Sequence, residues 1–131
     1  MIMKHLALTL ALIIGVCFSG LGQEIKHNPN KQDPEQKAET ETAKATKKLT
    51  LNDKQKAVYK QFVLQRIAAN KPIRQKLKTT TDANTQATLK KELDTNRDKF
   101  RANVNAMLNP EQQTKWTEMN MRQDKRANTT K

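Results

Sequence analysis

The chain has little of the chemistry on which many enzymes depend. Its 131 residues include one cysteine, one serine and three glycines, and all of these lie within residues 1–22. Beyond residue 22, therefore, no serine or cysteine nucleophile is present and no disulfide can form within the chain. Phosphate-cradling loops that require glycine are excluded from the same region. These absences predict a protein that is not an enzyme.

Histidine is almost as scarce, with only His27 beyond residue 22. A zinc site needs Cys, His or clustered carboxylates, and the acids of this chain are scattered. Asp94 and Asp98 are four residues apart on one predicted helix face, but Arg97 and Arg101 lie beside them. Surface ion pairs explain this pattern better than acid–base catalysis does. We therefore expect neither a metal nor another cofactor.

The N-terminus has the pattern of a signal peptide, which we place at residues 1–22. A single lysine precedes the apolar run 6–18, and small residues flank a cleavage point before Gln23. The run is too short to span a membrane, and no later segment is apolar enough. Lipid attachment at Cys17 stays open as an alternative, although bulky Val16 disfavours it. The sequence thus predicts export to the periplasm with no transmembrane anchor after processing.

Basic residues are concentrated in one part of the chain. The formal net charge is +12, and residues 42–78 hold eleven basic residues against one acid, Asp53. Residues 23–41 hold five acids and three lysines. An excess of this size raises the local concentration of anionic partners. The alternative is a solvated face that only keeps the chain soluble.

Three regions follow the predicted signal peptide. Residues 23–48 are polar and contain only one large apolar residue, Ile25, so we expect a disordered leader. Residues 49–127 are expected to form one helical domain, and residues 128–131 a disordered tail. No alternating strand pattern competes, so the predicted fold class is all-α. A core this small, without a disulfide, makes dimerisation a reasonable expectation.

Capping residues and apolar spacing predict four helices in the domain. The first begins after Asn52 and ends at Asn70, where Pro72 starts a shorter second helix. A polar break at residues 79–82 precedes the third helix, and Asn109 caps the fourth. Tyr59, Phe62 and Trp116 admit two interpretations, as core residues or as contacts for a bound protein.

Two stretches of the chain repeat each other 57 residues apart. Each has a leucine, then an asparagine that can cap a helix, then a glutamine at the third helical position. The motif residues are Leu51, Asn52, Gln55, Leu108, Asn109 and Gln112. Beyond the motifs Tyr59 aligns with Trp116, and Phe62 with Met119. The chemistry is first of all that of a helix start.

Two such motifs in a small, basic, helical chain resemble the Spy/CpxP family, whose mark is a pair of Leu-Thr-x-x-Gln motifs. Asn52 and Asn109 replace both threonines, which keeps the capping chemistry but departs from the family pattern. The resemblance covers residues 49–126. It implies a four-helix LTxxQ-type protomer with long bent helical hairpins that pairs into a thin, curved dimer. It also implies an ATP-independent chaperone that holds unfolding proteins on a basic, partly apolar concave face.

The first two predicted helices supply the residues expected to contact such clients. They are Lys54, Lys56, Lys60, Phe62, Arg66, Ile67, Arg74, Lys76 and Lys78. The expected partners are unfolded or partly folded proteins and a second copy of the chain. A regulatory adaptor that binds an acidic sensor domain of an envelope-stress signalling protein is the main alternative. Binding to lipopolysaccharide or extracellular DNA is a third, but no motif supports recognition of specific nucleic acid.

Overall fold

The computed structural model describes residues 33–129, which form four helices and, within that range, no strand. The helices are α1 (Pro34–Leu49), α2 (Asp53–Thr79), α3 (Ala83–Met107) and α4 (Pro110–Thr129). The all-α prediction is thereby confirmed for this part of the chain. The predicted signal peptide with its cleavage point and Cys17, the leader residues 23–32 and the tail residues 130–131 lie outside the described residues.

Helix α1 corrects the predicted disorder of residues 23–48, which is wrong for residues 34–48. Asp33 caps the helix, Pro34 occupies its first turn, and lysines follow in its last turn. Its buried residues recur at spacings of three and four, and they are Ala38, Thr42, Ala45 and Leu49. Three of these are small, so counting large apolar residues underestimated the face that this helix buries.

The end of α1 is a left-handed turn at a residue that is not glycine. Thr50 has φ 55° and ψ 52°, and its N–H donates to the carbonyl of Thr46. It is the one positive-φ residue between residues 33 and 129. The bond satisfies a helix-end carbonyl, as αL caps do, and lets the chain reverse into α2 without glycine.

Helix α2 is continuous, so the predicted break at Asn70 and Pro72 is wrong. Pro72 lies inside the helix, and Asn70 is buried at mid-helix. The amide of Asn96 on α3 donates to the Asn70 Oδ1 at 2.9 Å. Asn96, which interrupts the apolar stripe of α3, therefore satisfies a buried polar group across the helix pair.

The core lies where the four helices meet, at the first half of α2. Tyr59, Phe100 and Trp116 pack edge to face, with ring centroids 5.7–6.4 Å apart. The Trp116 indole N–H donates to the Arg101 carbonyl at 3.2 Å. Val63 and Val104 are fully buried in the same cluster. Beyond this core α2 and α3 continue as a hairpin pair.

Sequence and structure thus agree on four helices but not on which four. The two helices expected on either side of Pro72 are one, and α1 supplies the fourth. The helical domain consequently begins before residue 49, its predicted start. It also ends later than predicted, because α4 continues through Thr129 into the predicted tail.

Candidate protein-binding surface

Both repeated motifs are capping boxes, as the sequence predicted. Asn52 Oδ1 accepts from the Gln55 backbone N–H at 2.9 Å, and Gln55 Oε1 accepts from the Asn52 N–H at 3.1 Å. Asn109 and Gln112 make the same two bonds at the same distances. Each motif therefore satisfies two backbone N–H donors at the start of its own helix. The first motif lies at the start of α2 and the second at the start of α4.

The two motifs also bind each other. Gln55 Nε2 donates to Gln112 Oε1 at 2.8 Å, and Gln112 Nε2 donates to Gln55 Oε1 at 3.1 Å. Gln55 Nε2 further bonds the Met107 carbonyl at 3.1 Å, whereas Gln112 Nε2 bonds those of Leu49 and Thr50, each at 3.2 Å. Each glutamine thus ties its own helix start to the helix end that precedes the other motif. Spacing along the sequence could not reveal this contact.

Three of the predicted client-binding cations already have acidic partners. Lys56 Nζ lies 2.9 Å from Asp53, and Lys60 Nζ lies 2.6 Å from Glu35 and 3.2 Å from Glu39. The hydrogen bonds that the Lys60 ammonium donates to these carboxylates, first to Glu35 and then to Glu39, raise the pKa of Lys60 above its usual range.

Arg66, the third of these cations, lies at the junction of α1, α2 and α3. It forms a charge-assisted hydrogen bond with Glu41 and places its guanidinium 4.2 Å from the centroid of the Phe100 ring. These two contacts of its side chain are therefore with the acidic face of α1 and with the aromatic core. Residues from the predicted disordered leader neutralise Lys60 and Arg66.

The aromatic residues divide between the core and a half-exposed position. Tyr59 and Trp116 are buried, which agrees with the interpretation that they are core residues. Burial, with a smaller contribution from Glu41, raises the pKa of Tyr59 to about 12. Phe62 and Ile67 are only partly buried and pack against the core. Phe62 faces a depression of about 190 Å³ that Arg66 also lines.

The remaining predicted cations are exposed. Lys54, Arg74, Lys76 and Lys78 form no ion pair within residues 33–129. Lys71, which sequence reasoning missed, is equally exposed and unpaired in that range. The far half of α2 therefore carries four exposed cations that are available to a partner: Lys71, Arg74, Lys76 and Lys78.

Part of this charge lines a cleft of about 670 Å³, here called the basic cleft. Its cationic lining residues are Lys37, Arg66, Lys71, Arg74, Lys78 and Arg97. The two acids in the lining, Glu41 and Asp94, bind Arg66 and Arg97 respectively. The other four cations have no ion pair among the described residues. Half-buried Ile67 and Leu93 add apolar surface.

The basic cleft brings together four of the predicted client-binding residues: Arg66, Ile67, Arg74 and Lys78. Lys54, Lys56, Lys60, Phe62 and Lys76 lie elsewhere. Lys37, Lys71 and Arg97 also line the cleft, but they were not predicted from the sequence as neighbours of this group. Lys71 was detectable, because it is three residues from Arg74 and seven from Lys78 on one helix face. The positions of Lys37 and Arg97 depend on how α1 and α3 pack.

Within residues 33–129, no group of His, Cys, Asp or Glu side chains is arranged to hold a metal ion. The helices in that range include none long and apolar enough to cross a membrane. Every buried side-chain nitrogen or oxygen of the described residues has a hydrogen-bond partner. No family model, curated protein or solved structure matches the chain.

Proposed function

We propose that the chain is an exported, ATP-independent chaperone that binds unfolding or aggregation-prone envelope proteins. The observation that carries the proposal is the basic cleft, where four unpaired cations surround half-buried apolar side chains. Unfolding proteins expose apolar segments together with acidic ones, and this surface offers contacts for both. The resemblance to the Spy/CpxP family, carried by the two capping motifs, supports the same function.

The expected mechanism is fast capture followed by weak holding. Unpaired lysines and arginines attract acidic stretches and speed their encounter with the protein. Ion pairs at exposed sites contribute only about 0.2–1 kcal/mol each, so no single contact holds the client. Release then needs no ATP, because a client that begins to fold withdraws its apolar contacts one at a time.

Suppression of aggregation of two unrelated unfolding proteins tests the proposal. The parent should suppress both, and Arg74→Gln with Lys78→Gln should weaken suppression at low salt. Lys44→Gln with Lys47→Gln is the matched control, because it removes the same charge from exposed positions on α1. No suppression of either protein, together with saturable binding to one acidic sensor domain, would identify a regulatory adaptor instead.

Export and pairing belong to the same proposal. The signal-peptide pattern supports export, and the exported protein should begin at Gln23 by intact-mass analysis. The resemblance and the small core support a homodimer, which sedimentation equilibrium would detect as twice the protomer mass. A mass that includes Cys17 with an attached lipid would show that the exported protein is anchored by a lipid and not soluble.

A further inference from the structure

One face of α2 carries a stripe that runs from the core to the far end of the helix. The α2 stripe consists of Lys60, Ile67, Lys71, Arg74 and Lys78. Successive members are separated by seven, four, three and four residues, so they lie above one another on a helix of 3.6 residues per turn. Four of the five are cations, and one apolar residue lies among them.

Helix α1 shows what kind of segment this stripe binds. Glu35 and Glu39, four residues apart on α1, both contact the Lys60 ammonium. Glu41 on the same helix binds Arg66. Between these acids α1 buries small residues, with Ala38 at 0% exposure, so the two helix backbones can approach closely. The stripe is thus already occupied, over its first part, by an acidic helix with a small-residue face.

The cover that α1 provides ends at the basic cleft. Pro34, the first residue of α1, lines the cleft together with Lys71, Arg74 and Lys78. These three cations continue the stripe past α1, and none has an ion pair in the described part of the chain. Seven residues separate Lys71 from Lys78, which corresponds to about 10 Å, or two helical turns.

We propose that the basic cleft binds an acidic helical segment of another protein, on the part of the α2 stripe that α1 leaves uncovered. This partner has carboxylates three, four or seven residues apart, opposite Lys71, Arg74 and Lys78, and small or apolar residues against Ile67 and Leu93. The inference rests on the proposed function and specifies the kind of client segment that this site prefers.

Charge complementarity favours this partner over two other possible occupants of the cleft, residues 23–32 of the same chain and a second copy of the chain. Residues 23–32, which precede α1, contain Glu24 but also Lys26 and Lys31, so they are more basic than acidic. A second copy offers little acidic surface, since the chain has a formal net charge of +12 and its α1 acids are paired with α2. The apolar lining favours a peptide over a purely ionic polymer.

Two labelled peptides of about 15 residues, the length at which alanine-rich helices become populated, test this inference. Both have the same composition, but one places glutamates four residues apart on one helix face and the other places them two apart. Fluorescence anisotropy at low salt should show tighter binding of the first peptide to the full-length protein. The double variant Arg74→Gln with Lys78→Gln should weaken that binding about fivefold, as expected for the loss of two exposed ion pairs.

The control variant Lys44→Gln with Lys47→Gln should change the affinity less than about twofold. Equal binding of the two peptides, or equal losses in the two variants, would overturn the inference. So would displacement of the peptide by anionic phospholipid vesicles at lower charge concentration than by unlabelled peptide, because the cleft would then prefer phosphate. Suppression of aggregation without peptide discrimination would contradict only the inference. Selective peptide binding without suppression would contradict only the proposed chaperone.

Discussion

Gln55 and Gln112 donate hydrogen bonds to each other, at 2.8 Å and 3.1 Å, although 57 residues separate them. Each also caps its own helix and bonds the end of a helix from the other half of the chain. The pair therefore holds two helix starts and two helix ends together. A disulfide is impossible beyond residue 22, so polar side chains provide this connection.

The two glutamines should not be equally important for stability. Gln112 is 7% exposed and donates to two carbonyls near the end of α1, whereas Gln55 is half-buried. Gln112→Ala should therefore cost about 2 kcal/mol, because it leaves buried acceptors unsatisfied, and Gln55→Ala about 1 kcal/mol. Urea denaturation with an unchanged slope would measure both. Equal losses would mean that water replaces either amide equally well.

The caps themselves should contribute independently of this contact. Asn52→Ala and Asn109→Ala should each lower the free energy of unfolding by about 1 kcal/mol, since a backbone N–H loses its acceptor. Asn103→Ala is the matched control, because Asn103 is exposed within α3 and alanine favours helix. A control as destabilised as the cap variants would show that the losses come from some other effect of removing asparagine.

Helix α1 provides a test of the corrected domain boundary. Ala38 has 0% exposure, so Ala38→Leu should overpack the interface and cost about 1–3 kcal/mol. Ala43, five residues along the same helix, is exposed, and Ala43→Leu should be nearly neutral. Thermal unfolding and limited proteolysis between residues 34 and 48 would compare them. If both variants matched the parent, residues 34–48 would be disordered in solution after all.

The α1 prediction failed for a physical reason. Disorder was inferred from the near absence of large apolar residues, but a helix that lies against a ready-made surface can bury alanines and threonines instead. The Thr42 hydroxyl donates to the Ala38 carbonyl at 2.7 Å, so even this buried polar group is satisfied within the helix. The sequence contains the periodic small residues, but it does not show the surface against which they pack.

The caps were predictable because their chemistry is local. Asn52 and Asn109 reach backbone groups only three residues away, so spacing alone locates them. Asn70 was predicted to end a helix because Pro72 follows it, yet its side chain binds Asn96, 26 residues along the chain. The basic cleft is non-local in the same way: its cations on α2 are visible in the sequence, but only the packing of α1 shows that Glu41 pairs with Arg66 and leaves Lys71, Arg74 and Lys78 unpaired.

Stability at high pH should depend on Tyr59, the only tyrosine in the chain. Its pKa rises from 10.0 in the unfolded chain to about 12 in the folded protein, chiefly because burial disfavours the phenolate. The stabilisation is fully present below pH 10 and is lost as the pH rises through 12, by roughly 2–3 kcal/mol. Tyr59→Phe should lack this loss, while lysine titration is common to both proteins. Parallel stability curves above pH 10 would contradict a buried phenol.

Capture kinetics should separate paired cations from unpaired ones. Lys60 is held by Glu35 and Glu39, whereas Arg74 and Lys78 have no ion pair among residues 33–129. Stopped-flow association with an acidic unfolding client at low salt should therefore be slowed more by Arg74→Gln with Lys78→Gln than by Lys60→Gln with Lys56→Gln. The first pair projects an uncompensated field into the cleft, and the second is offset by neighbouring carboxylates.

Salt provides the control for this comparison. Near physiological ionic strength the Debye length is about 8 Å, so screening should bring the rates of parent and both variants together. Circular dichroism should show folded protein throughout, since exposed Lys→Gln changes usually alter stability by about 0.5 kcal/mol or less. Equal slowing by the two double variants at low salt would mean that total charge alone attracts clients. The basic cleft would then have no special part in capture, because its unpaired cations would act only through their number.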